Sequence, residues 1–117
     1  MREVQKSLKG LGRPWELAKA FDCSAPLSPF TPLDTFGDIQ NIDFSLTVNG
    51  QLRQRGNTKQ MIRPITQLLS IISESFTLLP GDVVLTGTPA GVGPLLVGDE
   101  LTMKMVDFSV STKVIEG

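Results

Sequence analysis

The sequence predicts a mainly β fold of the α+β class, with one clear helix and a second, shorter one. Apolar residues alternate with polar ones from Ile42 to Val48 and again from Leu101 to Met105, which is the period of a half-buried strand. Between them, from Ile62 to Ile72, apolar residues recur at helical spacing. At 117 residues the chain suits a single domain, here taken as residues 1–117.

The first segment is predicted to be one or two helical turns. Val4, Leu8 and Leu11 stand at i, i+4 and i+7, and Gly12 with Pro14 then ends the helix.

The next segment, Trp15 to Asp22, is interpreted as a strand. Trp15, Leu17, Lys19 and Phe21 then share one face, so that Lys19 lies among large apolar side chains. Its stem could lie along apolar surface with the ammonium in water. Alternatively, a desolvated ammonium could point into a pocket and stabilise a developing anion.

A hairpin is predicted at Asn49-Gly50, because both central positions of such a two-residue turn prefer φ > 0. In that register Val48 faces Gln51 and Leu46 faces Arg53. An arginine would then share the apolar face, which indicates an edge strand or a core face that ends early.

A polar turn at Gly56-Asn57-Thr58 follows, and then the clearest helix. Pro64 is acceptable in its first turn. The apolar stripe is interpreted as core packing, not as a ligand site, and consists of Ile62, Ile65, Leu68, Leu69 and Ile72.

The stretch around which the chain is arranged runs from Leu78 to Gly93. It is predicted to contain a turn at Pro80-Gly81-Asp82, a short interior strand at Val83–Leu85, and a glycine-rich loop with two threonines. Neither a Walker phosphate loop nor a dinucleotide fingerprint matches, so the loop either approaches a ligand or simply connects two strands. A last strand is predicted from Phe108 to Val114.

Composition excludes several function classes. The net charge of −1 provides no basic surface for nucleic acid or for an acidic membrane, and no apolar run is long enough to span a bilayer. Cys23 is the only cysteine, so a reducing compartment is expected, and we place the protein in the cytoplasm. Histidine is absent, which excludes a Ser-His-Asp triad and a histidine zinc site within this sequence.

Four ordered motifs point to a family. The stretch from Leu79 to Gly93 (LPGDVVLTGTPAGVG) closely resembles the signature of the fumarylacetoacetate hydrolase family, in its acylpyruvase and oxaloacetate-decarboxylase branch. Residues 2–5 (REVQ), 15–22 (WELAKAFD), and 48–50 with 56–58 (VNG and GNT) agree in the same order. The resemblance covers nearly the whole chain, although Ala20 replaces the usual glycine after the lysine.

The resemblance implies a mixed, multi-layer β-roll of which this chain is a partial catalytic domain. It also implies a metal-dependent hydrolase or lyase that cleaves C–C bonds in acylpyruvates, β-diketo acids or oxaloacetate. The expected cofactor of the full-length family is Mg²⁺ or Mn²⁺, the expected partner is a small α-keto-acid or diketo-acid substrate, and the expected assembly is a homodimer.

Four residues match the family's site. Lys19 matches the lysine that stabilises an oxyanion, while Arg2, Gln5 and Thr88 match positions that bind the substrate. The family's metal carboxylates, an aspartate that would lie three residues before Met1 and a Glu-x-Glu pair, have no match here. We interpret Asp82, Asp99 and Asp107 as structural, and we expect this chain alone to bind no metal.

Three interpretations therefore stay open. The chain is a fragment of a metal-dependent enzyme, a non-catalytic remnant that keeps the fold and dimer surface, or one half of a split enzyme.

Overall fold

The computed structural model describes residues 1–116, and these divide into two compact units. The first comprises residues 1–30, and the second begins at Thr31. No helix in the described residues is long and apolar enough to cross a bilayer.

The first unit consists of two helices that contact each other, α1 (Arg2–Gly10) and α2 (Glu16–Lys19). The predicted first helix is confirmed. The predicted strand from Trp15 to Asp22 is wrong, because Glu16–Lys19 is a helical turn closed by the Ala20 N–H donating to the Glu16 carbonyl at 2.7 Å. Glu, Leu, Ala and Lys are all good helix formers, and the turn buries Ala18.

The second unit is built on a four-stranded antiparallel sheet in the order β2-β1-β3-β4. Its strands are β1 (Asp43–Val48), β2 (Gln51–Asn57), β3 (Glu100–Met105) and β4 (Phe108–Lys113). Between β2 and β3 lies α3 (Ile65–Ser73), and short 3₁₀ turns occupy Leu33–Phe36 and Thr58–Gln60. The strands predicted from Ile42 to Val48, from Leu101 to Met105 and from Phe108 to Val114 are therefore confirmed, as is the mainly β, α+β class.

The hairpin turn between β1 and β2 is confirmed, with φ of 51° at Asn49 and 76° at Gly50. The Asn49 side chain also ties the turn to the start of β3. Its Nδ2 donates to Asp99 Oδ1 at 2.8 Å, and its Oδ1 accepts from the Glu100 N–H at 2.9 Å. The turn residue is thus a tertiary link as well as a local one.

A β-bulge shifts the register of this hairpin. Val48 pairs with Gln51 as predicted, but Leu46 pairs with Gln54, and Arg53 is the extra residue. The predicted pairing of Leu46 with Arg53 is wrong, and the apparent conflict of an arginine opposite Leu46 disappears with it.

The helix α3 begins just after Pro64, so Ile62 lies outside it and is fully exposed. No residue of α3 is buried. Ile65, Leu68 and Ile72 of the predicted apolar stripe are half-buried, so the prediction of core packing is wrong in extent, because the stripe is covered only in part. The fully buried apolar side chains among the described residues of the second unit are Ile42 and Val48.

Val83–Leu85 does not form the predicted strand, since it belongs to no ladder and Leu85 is 76% exposed. A β-branched run favours extended backbone, but a strand also needs a neighbour to accept and donate its hydrogen bonds. The turn before it is confirmed. Asp82 donates its N–H to the Leu79 carbonyl at 3.1 Å, and Gly81 has a φ of 99°.

Candidate functional site

Two of the predicted site residues lie on α1. Arg2 and Gln5 are three positions apart, so their side chains project from the same side of the helix. Arg2 is exposed and Gln5 is half-buried.

Lys19 is the last residue of α2 and is exposed. Lys19 therefore does not take the strand alternation with Trp15, Leu17 and Phe21 that was expected from the sequence. Because α1 and α2 contact each other, Arg2, Gln5 and Lys19 belong to one compact unit.

Thr88 lies in the glycine-rich loop of the second unit, and Gln54 of β2 binds it there. Gln54 Nε2 lies 3.0 Å from Thr88 Oγ1 and 2.9 Å from the Pro89 carbonyl oxygen, with the Ala90 carbonyl oxygen at 3.5 Å. One half-buried side chain therefore holds three consecutive loop residues.

The loop is also packed tightly against the backbone of β2. A Cβ at Gly91 would collide with the carbonyl oxygen of Arg53, and one at Gly93 would collide with the Arg53 guanidinium. Farther along the strand, a Cβ at Gly56 would lie 2.8 Å from the Phe44 ring and 3.2 Å from Pro89. At Gly91 glycine is needed because the loop meets the backbone of β2, whereas at Gly93 and Gly56 the neighbouring atoms belong to side chains.

An open cleft of about 400 Å³ lies beside this loop. Thr86 and Thr88 form part of its wall, Phe44 and Leu68 supply apolar surface, and Arg63 supplies a positive charge. Such a lining suits a small ligand that carries both an anionic group and a short carbon chain.

Asn57 and Thr58, which also line the cleft, are held by a part-buried polar network. Asn57 Nδ2 donates to Asn41 Oδ1 and to Asp43 Oδ1, both at 3.1 Å, while its Oδ1 accepts from the Lys59 N–H at 2.9 Å. The Thr58 hydroxyl donates to the Ile39 carbonyl at 2.9 Å. Because these bonds satisfy Asn57 and Thr58 internally, the Gly56-Asn57-Thr58 motif has a structural role.

The described residues do not fit a divalent cation. Mg²⁺ and Mn²⁺ are held mainly by carboxylate oxygens, and nowhere in residues 1–116 do three Asp, Glu, Cys or His side chains converge. Asp99 is occupied structurally, because its Oδ2 accepts from the Leu96 N–H at 2.8 Å and its Oδ1 accepts from Asn49. Asp82 accepts from the Leu79 N–H in the same way.

Sequence reasoning missed Gln54, Arg53 and Arg63. Gln54 and Arg53 acquire their roles from the bulge, and a bulge leaves no mark in a period-two pattern. Arg63 reaches the cleft wall from the turn before α3, where periodicity carries no information.

Comparison with known proteins agrees with this fold and these motifs. Residues 1–115 match the family model described as fumarylacetoacetate (FAA) hydrolase C-terminal. Among curated proteins, the oxaloacetate tautomerase YcgM of Escherichia coli (strain K12) is 54% identical over 116 residues, which is 98% of this chain and 53% of that protein. The mitochondrial oxaloacetate tautomerase FAHD1 of Bos taurus is 47% identical over 100 residues, 86% of this chain and 45% of that protein.

A solved structure extends the comparison to three dimensions. The fumarylpyruvate hydrolase of Pseudomonas aeruginosa, crystallised with Mn²⁺ and pyruvate, superposes with a TM-score of 0.90 at 38% identity, over 99% of this chain and 50% of that one. The chain therefore spans about half the length of the relatives it matches. With a family model matched along nearly its whole length, the chain belongs to the fumarylacetoacetate hydrolase family.

Proposed function

We propose that the chain carries the substrate-binding side of an enzyme that acts on small 2-oxo acids, with oxaloacetate as the first substrate to test. The observation that carries this proposal is the 54% identity to an oxaloacetate tautomerase over 98% of the chain. A fumarylpyruvate hydrolase is also similar, but its identity of 38% is lower than the 54% to the tautomerase. We therefore rank keto–enol isomerisation above C–C hydrolysis.

Each proposed site residue has a chemical role. The Arg2 guanidinium suits a planar carboxylate, and the Gln5 amide can donate to a neighbouring oxygen. The Lys19 ammonium would stabilise negative charge on the oxygen of an enolate. The Thr88 hydroxyl would donate to a further substrate oxygen.

The divalent ion of the proposed full-length enzyme would be Mg²⁺ or Mn²⁺, as in the Mn²⁺-bound relative. When bound it would polarise substrate carbonyl oxygens. Since the described residues do not fit such an ion, we assign none of them to holding it and propose that its carboxylates are supplied from elsewhere.

A second candidate is a chain without catalysis, and a third is one half of a split enzyme. Both are favoured by the same observation, the lack of a converging carboxylate cluster in residues 1–116. A measurement of turnover distinguishes the second candidate from the third. A non-catalytic chain stays inactive on oxaloacetate with any partner, whereas a split half becomes active when a polypeptide that carries the missing carboxylates is added.

The proposed assembly is a homodimer, supported by large apolar side chains of the second unit that are exposed, among them Ile62, Phe76 and Leu85. The proposed compartment is the cytoplasm, on the ground of the single cysteine, although the bovine relative is named mitochondrial.

The binding role is tested by titrating the ¹⁵N-labelled chain with pyruvate and following its amide signals. We expect shifts at Arg2, Gln5, Lys19 and Thr88, and weaker binding in Lys19→Met. The matched control is Lys9→Met, in which the same change is made at an exposed lysine of α1. Unchanged signals at all four positions at saturating pyruvate would refute the binding role.

The catalytic role of Lys19 is tested in the full-length protein with Mg²⁺ or Mn²⁺. We expect Lys19→Met to lower kcat far more than it raises KM, by roughly a hundred- to a thousandfold, because one preorganised charge at an oxyanion is worth about 3–4 kcal/mol. An unchanged kcat would remove Lys19 from the mechanism.

A further inference from the structure

We propose that Gln54 is a positioning residue that fixes the Thr88 hydroxyl as a hydrogen-bond donor toward an oxygen of the ligand. The inference rests on the proposed function, in which Thr88 contacts a 2-oxo acid. It assigns a role to a residue of β2 that no motif in the sequence singled out.

The orientation of the Gln54 amide follows from its partners. The carbonyl oxygens of Pro89, at 2.9 Å, and Ala90, at 3.5 Å, can only accept hydrogen bonds. The nitrogen of the amide, and not its oxygen, must therefore face the loop.

The direction of the bond to Thr88 follows in turn. An amide nitrogen donates and does not accept, so the Thr88 oxygen, 3.0 Å away, accepts from it. The hydroxyl proton is then directed away from Gln54, and Thr88 borders the cleft. A carboxylate or enolate oxygen in the cleft can receive that proton in a hydrogen bond, whereas a ligand ammonium group there cannot.

The bulge in β2 is what brings Gln54 to the loop. With a regular register Gln54 would pair with Ser45, and its side chain would lie on the opposite face of the sheet. The extra residue, Arg53, pairs Gln54 with Leu46 and thus places it on the face of Phe44 and Gly56. Pro89 of the loop packs on that same face.

A second, independent contact sets the distance. Gly91 lies directly against the Arg53 carbonyl, which keeps the loop close to β2. At this separation the Gln54 side chain reaches three oxygen atoms of the loop. The bulge in β2 and the packing of the loop together therefore orient the hydroxyl of Thr88.

The test compares Gln54→Met, which keeps the size of the side chain and removes its donors, with Gln51→Met, the same change at an exposed position of β2. The χ1 rotamer of Thr88 is read from three-bond couplings to its methyl carbon. We expect one rotamer in the wild type and in Gln51→Met, and rotamer averaging in Gln54→Met. If Gln54→Met does not fold, Gln54→Glu replaces it, because a carboxylate can only accept and must lose the bonds to both carbonyl oxygens. A single, unchanged Thr88 rotamer in the folded variant would overturn the proposal.

Pyruvate binding supplies the second measurement. We expect Gln54→Met and Thr88→Val each to weaken it by roughly three- to tenfold, the effect of one hydrogen bond, and the double variant to be no weaker than Thr88→Val. Additive losses in the double variant would overturn the proposal, since the two residues would then act independently. If wild-type protein binds no pyruvate, the proposed function fails, while the rotamer measurement still decides the role of Gln54.

Discussion

The replacement of Gly91 by alanine measures how firmly the glycine-rich loop is fixed on β2. Gly91 has a φ of 100°, and a Cβ placed there would collide with the carbonyl oxygen of Arg53. Gly81 supplies a matched control, because its φ is 99° and nothing lies within 4 Å of the Cβ that it would carry.

The two variants share one cost and differ in another. Backbone strain at such a φ costs about 1–3 kcal/mol in either position, and the change in the unfolded chain is the same for both. Gly91→Ala must in addition displace a backbone atom that cannot rotate away, which costs a further 1–3 kcal/mol or so. We therefore expect Gly91→Ala to lower the free energy of unfolding more than Gly81→Ala by about that second amount.

The measurement is urea unfolding followed by the amide signals of β1, because the only tryptophan, Trp15, lies in the other unit. Hydrogen exchange of the loop amides provides a local reading, and we expect faster exchange in Gly91→Ala alone. Equal free-energy losses in the two variants, with unchanged loop exchange, would refute the close packing of loop and strand.

Three further predictions concern charge, assembly and metal. The pKa of the Asp99 carboxyl is held below its ordinary value, first by the Leu96 N–H and then by the Asn49 amide. A lowered folded-state pKa gives stability that is present above the unfolded-state pKa and lost as the pH falls through the folded-state pKa. Acidification from about pH 5 to pH 3 should therefore destabilise the wild type and Asp107→Asn more than Asp99→Asn in urea titrations, and parallel losses would contradict this. Analytical ultracentrifugation should show self-association through exposed apolar surface, and a sharp monomer at every concentration would count against it. Calorimetric titration with Mn²⁺ should show no tight binding by this chain, whereas micromolar binding would mean that carboxylates assigned to structure form a site.

Two apolar segments of the second unit, α3 and Val83–Leu85, have the sequence pattern of buried residues but are not fully buried. On α3, Ile65, Leu68 and Ile72 are only half-buried. Val83 and Leu85 are exposed, and no strand pairs with Val83–Leu85 within residues 1–116. These segments therefore expose more apolar surface than their sequence pattern predicts.

By itself, the sequence determined the elements whose signal is local. The alternation in β1 and β3, the Asn49-Gly50 turn, the first helix, and the turn at Pro80-Gly81-Asp82 all follow from residues that are adjacent or a few positions apart. It also determined the family, because four motifs in fixed order do not depend on contacts. The roles of Arg2, Gln5, Lys19 and Thr88 came from that resemblance and remain proposals.

Only the tertiary structure decided the rest. Trp15 to Asp22 alternates like a strand, but its residues Glu16–Lys19 form a helical turn that contacts α1. The bulge at Arg53 moved Gln54 to the face where the glycine-rich loop lies. A strand exists only where a second backbone completes its hydrogen bonds, and a side chain acquires a role from neighbours more than thirty residues away, as Gln54 does from Thr88. Such contacts depend on how distant segments pack, which no pattern within a single segment encodes.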